Sequence, residues 1–189
     1  MFYRFKFATA IALATILAAC GGGGSSTIDS QNPMVKYVGT YSGCNNHQEL
    51  TTTISATGAY QAYIDTKTDF YQNSDCTGAI VGTHTNSSPV TATYQATGNL
   101  PVLGVESTLQ NLPIDTTNLI LAVVSESLTG SGVSGLCVNY IGGSYCYSNP
   151  PTTSLNSEGG LYLNGNLLYT LTLVNGVYQA DSVVLTKIG

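Results

Sequence analysis

Apolar and polar positions alternate along most of this chain in short runs broken by glycine, asparagine and proline, a period of two that predicts strands. Runs with this pattern cover 35–41, 48–55, 60–71, 80–85, 90–96, 102–109, 118–127, 161–164, 167–174 and 177–186. In one of them Leu167, Tyr169, Leu171 and Leu173 alternate with Leu168, Thr170, Thr172 and Val174, which makes the Leu167 side the more apolar face. The last run alternates less cleanly, and its inner face stays open. Between the runs lie Ala56-Thr57-Gly58, Thr97-Gly98-Asn99, Asn164-Gly165-Asn166 and Asn175-Gly176, which read as turns joining antiparallel neighbours. Asn-Gly suits the positive φ angles of a type I′ turn, so the C-terminal part reads as a three-strand meander.

Two stretches break the alternation. Pro113 and Asp115 predict a turn or a single helical turn over 109–117. Residues 129–160 are rich in glycine, carry Pro150, Pro151, Cys137 and Cys146, and read as an insertion. A long stretch without regular structure inside a folded domain is unusual. The repeated Tyr-Gln-Ala at Tyr60, Tyr94 and Tyr178 is what hairpins select, an aromatic strand residue near a turn, rather than a sign of duplication.

Composition sharpens the fold class. Charged residues make up only 8% of the chain, while threonine, tyrosine and valine are frequent, which suits pleated surfaces better than helices. The expectation is an all-β, single antiparallel domain over 35–189. A closed or partly closed barrel is favoured over a sandwich, because closure removes strand edges that few charges here would protect.

The N-terminus follows other rules. Arg4 and Lys6 precede an apolar run to Ala19 that is shorter than the roughly 20 residues needed to span a bilayer. A basic start, a short apolar stretch and a small-residue exit describe a removable secretory signal over 1–19. Its exit, Leu17-Ala18-Ala19-Cys20, resembles the lipobox of bacterial lipoproteins. That resemblance implies cleavage before Cys20, a diacylglycerol thioether on its sulfur and an acylated (palmitate-type) amino terminus. It further implies the outer membrane, because Gly21 stands where an inner-membrane retention signal has aspartate. More than one acyl chain makes a durable anchor. Residues 20–34, rich in glycine and serine, then read as a tether with a reach of about 20 Å by random-coil scaling.

Beyond Cys20 the chain carries Lys36, Lys67 and Lys187 against ten acidic residues, a formal charge of −7. This balance excludes a nucleic-acid partner held by charge and leaves the lipid as the expected membrane contact. With Cys20 committed to lipid, four cysteines remain, enough for two disulfides in an oxidising compartment. Three pairings are possible; Cys44–Cys76 and Cys137–Cys146 are favoured because each closes a local loop.

Candidate chemistry is sparse. His47 and His84 stand outside any metal motif and read as surface or edge-strand residues. Ser134 in Gly-Ser-Gly-Val-Ser-Gly lacks the glycine spacing of a nucleophile elbow. Asp65, Asp69 and Asp75 fit no calcium loop, and Asp65 and Asp69 read as decorating a solvent face. The expectation is a non-enzymatic protein without catalytic residues, metal or cofactor. Tyr140, Tyr145 and Tyr147 in the insertion are the first candidates for an interaction surface, since aromatics give contact area at low entropic cost.

A second resemblance rests on Gly39-Thr40-Tyr41-Ser42-Gly43-Cys44 and on Asp69-Phe70-Tyr71-Gln72-Asn73-Ser74-Asp75-Cys76-Thr77-Gly78. These resemble a pattern in small extracytoplasmic bacterial lipoproteins with lipocalin-like or related barrel domains. Cys44 and Cys76 match its cysteines, Phe70 and Tyr71 its aromatic strand, and Thr77-Gly78 its turn. The chain departs from it in having no tryptophan and in the 129–160 insertion. The functional expectation is a lipid-anchored envelope protein with an interaction or structural role, through a protein partner. The alternative is a lipocalin-like carrier of a small apolar ligand.

Overall fold

Strand-forming residues and turn chemistry produce fourteen strands in the computed structural model, which describes residues 32–121, 126–147 and 155–189. They are β1 (Gly39–Asn45), β2 (Gln48–Thr57), β3 (Gln61–Tyr71), β4 (Ile80–Asn86), β5 (Val90–Leu103), β6 (Gln110–Leu121) and β7 (Glu126–Thr129). Then follow β8 (Val133–Ser134), β9 (Cys137–Tyr140), β10 (Gly143–Cys146), β11 (Leu155–Asn164), β12 (Leu167–Val174), β13 (Val177–Ala180) and β14 (Leu185–Lys187). Eleven strands form one sheet, and β8, β9 and β10 form a second, small one. Among the described residues no helix is long and apolar enough to cross a membrane.

In the large sheet, eight strands pair in a cycle that returns on itself: β1, β2, β3, β5, β6, β11, β12, β14 and back to β1, every pair antiparallel. A shorter cycle shares its wall. β5, β6, β11, β12 and β13 also close on one another, through a parallel contact of Tyr178 with Val102 and of Gln179 with Leu103. The shared strands therefore bury both faces. Leu161 and Leu168 belong to the core inside the eight-strand ring, while Ile114, Tyr169 and Leu171 belong to the core of the smaller cycle. This is why 167–174 carries the apolar Leu167 face and yet also buries Leu168 completely.

A third core forms where β3 and β4 run past the ring. Phe70 and Val81 meet Val138 of the small sheet there. Phe70 pairs with Gly82, and a Cβ on Gly82 would lie 2.5 Å from Val138 Cγ1, so the missing side chain lets the small sheet seat. Disulfides Cys44–Cys76 and Cys137–Cys146 tie the β1 end to the 71–80 loop and β9 to β10.

Several elements depart from the sequence reading. The run 35–41 is split: Pro33–Tyr37 forms a 3-10 turn, and the strand begins only at Gly39. The turn starts at Asn32, whose side chain accepts from Met34 N–H at 2.8 Å and donates to Gly58 O and Gln61 O. Residues 32–34, inside the segment read as tether, are thus part of the fold. Thr97-Gly98-Asn99 is not a turn but the middle of β5, which stays paired with β6 across a bulge between Tyr94 and Ala96. The connection falls after Leu103, so most of 102–109 is loop.

Residues 110–117 are strand despite Pro113. This proline lies past the end of the β11 pairing, on a stretch partnered on one side only, where a missing N–H is tolerated. The run 177–186 breaks between Ala180 and Leu185 as the chain passes from β13 to β14. Asn175-Gly176 holds as a turn, with both residues at positive φ, 52° and 81°. The 129–160 stretch, expected to lack regular structure, contains β8, β9 and β10 and the start of β11.

Candidate ligand-binding site

Alternation along β2 and β3 turns Thr52, Ile54, Ala62 and Ile64 inward, and Val90, Ala92, Leu119 and Leu161 meet them from β5, β6 and β11. One end of this interior is filled by the 3-10 turn. Met34 and Tyr37 are 0% and 1% exposed and pack against Ile54, Ala62 and Leu168. The other end is not filled. There Leu50 and Thr52 of β2, Ile64 and Thr66 of β3, Val90, Leu119, Thr170 and Asp181 line a cavity of about 270 Å³. Plug and cavity sit at opposite ends of the same strands: Gln61 meets Asn32 whereas Thr66 lines the cavity, and Thr97 meets the plug's partner whereas Val90 lines the cavity.

The plug is locked by charge as well as packing. Asp115, 0% exposed, accepts from the Tyr37 hydroxyl at 2.6 Å and from the Thr97 hydroxyl at 2.5 Å, and pairs with Lys36 Nζ at 2.5 Å. A buried carboxylate persists only with such partners. The Tyr37 hydroxyl oxygen also lies 3.0 Å from Leu161 O, and the Tyr41 hydroxyl donates to Tyr37 O at 2.9 Å. Burial, then the hydrogen bond and negative charge of Asp115, hold the Tyr37 phenol far above the ordinary tyrosine range. The Thr117 hydroxyl, two residues on from Asp115, is buried with no hydrogen-bond partner.

The cavity itself is mostly apolar, with hydroxyls of Thr52, Thr66 and Thr170 spaced among its aliphatic walls. At its rim Asp181 is exposed, and its position is set twice: its Oδ2 accepts from the Thr170 hydroxyl at 2.5 Å, and its N–H donates to Thr170 O at 3.0 Å. Apolar walls with a few placed polar groups are what small-molecule sites share. Such an arrangement can exclude water from an aliphatic body and orient one polar end.

The residues singled out in the sequence lie elsewhere. Cys20 and the signal and tether residues before Asn32 fall outside the described residues. Tyr140 stacks on His47 with ring centres 4.1 Å apart, and Tyr147 stacks on His84 at 4.4 Å. Tyr145 and Tyr147 both lie against Phe70, and Tyr145 stays 39% exposed. Burial, with Tyr145 and Glu126 nearby, pushes the Tyr147 phenol up. The two histidines therefore serve as platforms for the small sheet. His84 Nε2 also lies 3.3 Å from Glu126 Oε2, beside a 180 Å³ hollow bounded by Leu128, Leu136 and Tyr147.

Asp69 is only 5% exposed, held by Lys67 at 2.6 Å and by the Thr83 hydroxyl at 2.7 Å, so it is not on the solvent face expected of it. Asp65 and Asp75 are exposed, and the Thr77 hydroxyl on Asp75 lowers that carboxyl from its ordinary value. Ser134 sits in β8 and is exposed. Among the described residues no group of three or more His, Cys, Asp and Glu side chains is placed to hold a metal ion.

Reading residues alone missed the plug and the cavity. The plug carries no periodic signal, and the cavity is lined by residues of five separate strands whose convergence is purely tertiary. The 167–174 alternation did mark Thr170 as sharing a face with Leu168, the sole hint available. Comparison with protein-family models, with curated proteins and with solved structures finds no match to this chain.

Proposed function

We propose that the domain is a binding module that takes one small, largely apolar molecule into the open end of an eight-strand antiparallel barrel. The observation that carries this reading is the half-filled interior: a plug at one end and an apolar cavity of about 270 Å³ at the other. A ring of eight strands is wide enough either to be packed by side chains or to hold one small ligand. Here the plug uses up part of that space and leaves the rest. The volume lies just under the roughly 300 Å³ at which drug-sized sites begin, so the ligand is short. On this reading the lipid on Cys20 holds the module at the outer membrane, and no reaction is performed on the ligand.

The test is calorimetric titration with 1-nonanol, a neutral probe of suitable size. Saturable one-to-one binding is expected, and lost in Thr66→Phe and in Val90→Phe, which place a ring in the cavity. Absence of saturable binding by the unaltered protein would overturn the reading. A second reading, docking of a protein through the small sheet, is favoured by Ile141, Leu136 and Tyr145, which are 68%, 48% and 39% exposed on one small lobe.

A further inference from the structure

The charge at the rim of the cavity selects among small apolar ligands. Among the described residues that line it, Asp181 is the sole charged one; neither lysine nor arginine is present. The three lysines among the described residues are engaged elsewhere. Lys36 pairs with Asp115 at the plug, Lys67 with Asp69 between β3 and β4, and Lys187 Nζ donates to Val38 O at 2.8 Å. A ligand with a carboxylate or phosphate head would thus meet a like charge with no counter-cation among the lining groups, and like charges brought together repel.

A cationic head meets the opposite situation. Thr170 holds one oxygen of Asp181, Oδ2, and fixes the carboxylate against the wall, leaving Oδ1 as an acceptor for a donor arriving through the mouth. Charge-assisted hydrogen bonds are about twice as strong as neutral ones. Below the rim the aliphatic walls of Leu50, Ile64, Val90 and Leu119, with only the neutral hydroxyls of Thr52 and Thr66 among them, offer no counter-charge for a second charged group but bury an alkyl or small aromatic body.

From this geometry we infer that the site takes a small primary amine with an apolar body, the ammonium on Asp181 and the body against the β2, β3, β5 and β6 side chains. The inference rests on the binding reading above and adds the chemical class of the ligand. Asp181 and Thr170 then act as the specificity-determining pair, and the aliphatic residues supply the rest of the affinity.

Three probes with the same chain separate the terms: 1-nonylamine, 1-nonanol and nonanoate, titrated into the protein at pH 7 and low ionic strength. An alkylamine is an ammonium at that pH, as a lysine side chain is. The amine is expected to bind about tenfold more tightly than the alcohol, and nonanoate more weakly than either. Asp181→Asn should bring the amine to within about twofold of the alcohol. Thr170→Val, which keeps the carboxylate but removes its hydroxyl partner, should reduce the amine's advantage only in part. Alcohol binding without an amine preference would overturn the inference while sparing the binding reading, as would a preference that survives Asp181→Asn or a tightest-bound nonanoate. No binding of the alcohol would instead overturn the reading beneath it.

Discussion

Asp115 is the residue on which the packed end of the interior turns. Its carboxylate holds Tyr37, Lys36 and Thr97 together at 0% exposure, and each partner loses something different if it goes. Asp115→Ala leaves a buried phenol and a lysine without their acceptor, and a cost of about 3–5 kcal/mol is expected from breaking a buried charged network. Tyr37→Phe removes one hydrogen bond to a charged group and should cost about 1.5–3 kcal/mol. Lys36→Met strips the buried carboxylate of its cation but leaves both hydroxyl donors, so its cost should fall below that of Asp115→Ala. Urea unfolding of the three variants checks the order; an Asp115→Ala protein as stable as the parent would mean that the plug is held by packing alone. In the sequence Asp115 looks like a turn residue next to Pro113. Nothing local reveals its partners, which lie 78 residues away at Tyr37 and 18 away at Thr97.

At the scale of elements, the small sheet, braced internally by its own disulfide, is attached to the large one by two histidine–tyrosine stacks and the close approach at Gly82. Gly82→Ala forces Val138 to move, and overpacking of this kind costs about 1–3 kcal/mol. Amide exchange should show it locally: protection of 133–146 falls in Gly82→Ala while that of β2 and β3 is kept. Uniform loss across both sheets would show instead that the small sheet and the ring unfold as one unit. The disulfides differ in reach. Cys44–Cys76 closes a separation of 32 residues and Cys137–Cys146 one of 9, so loop entropy assigns about 4 and about 2.5 kcal/mol to their removal by paired Cys→Ser exchange. Equal losses in chemical denaturation would contradict that account. Both pairings were accessible from local loop closure, and the strand runs 48–55, 60–71, 80–85 and 167–174 from alternation alone. The 3-10 turn and the continuation of β5 through Gly98 were not, because long-range pairing with β6 overrides a turn propensity.

For the molecule as a whole, the tyrosines set an alkaline limit. The hydrogen bond to Glu49, then burial, pushes Tyr71 up to about 12; burial, then the hydrogen bond to Glu158, pushes Tyr178 up to about 12; Tyr37 lies higher still. Each is raised above its unfolded value near 10, so between these values the unfolded chain has released protons that the folded one retains. Stability is therefore fully present below pH 10 and falls as pH rises from 10 through 12. Unfolding midpoints in urea, measured from pH 8 to 12, should drop over that window, and the drop should be smaller in a Tyr71→Phe, Tyr178→Phe double variant. A flat profile would show that these phenols ionise as freely in the fold as in the open chain.

The sequence by itself determined that the chain is built of antiparallel strands, where most of them lie, and which cysteines close local loops, because period-two alternation, turn residues and short loops act over a few neighbouring positions. Tertiary structure alone decided that the strand pairings return on themselves, that a turn from the N-terminal side fills one end of the ring, and that the other end stays open around Thr170 and Asp181. Those outcomes depend on side chains far apart in the chain meeting across a shared interior, and no local pattern carries that information.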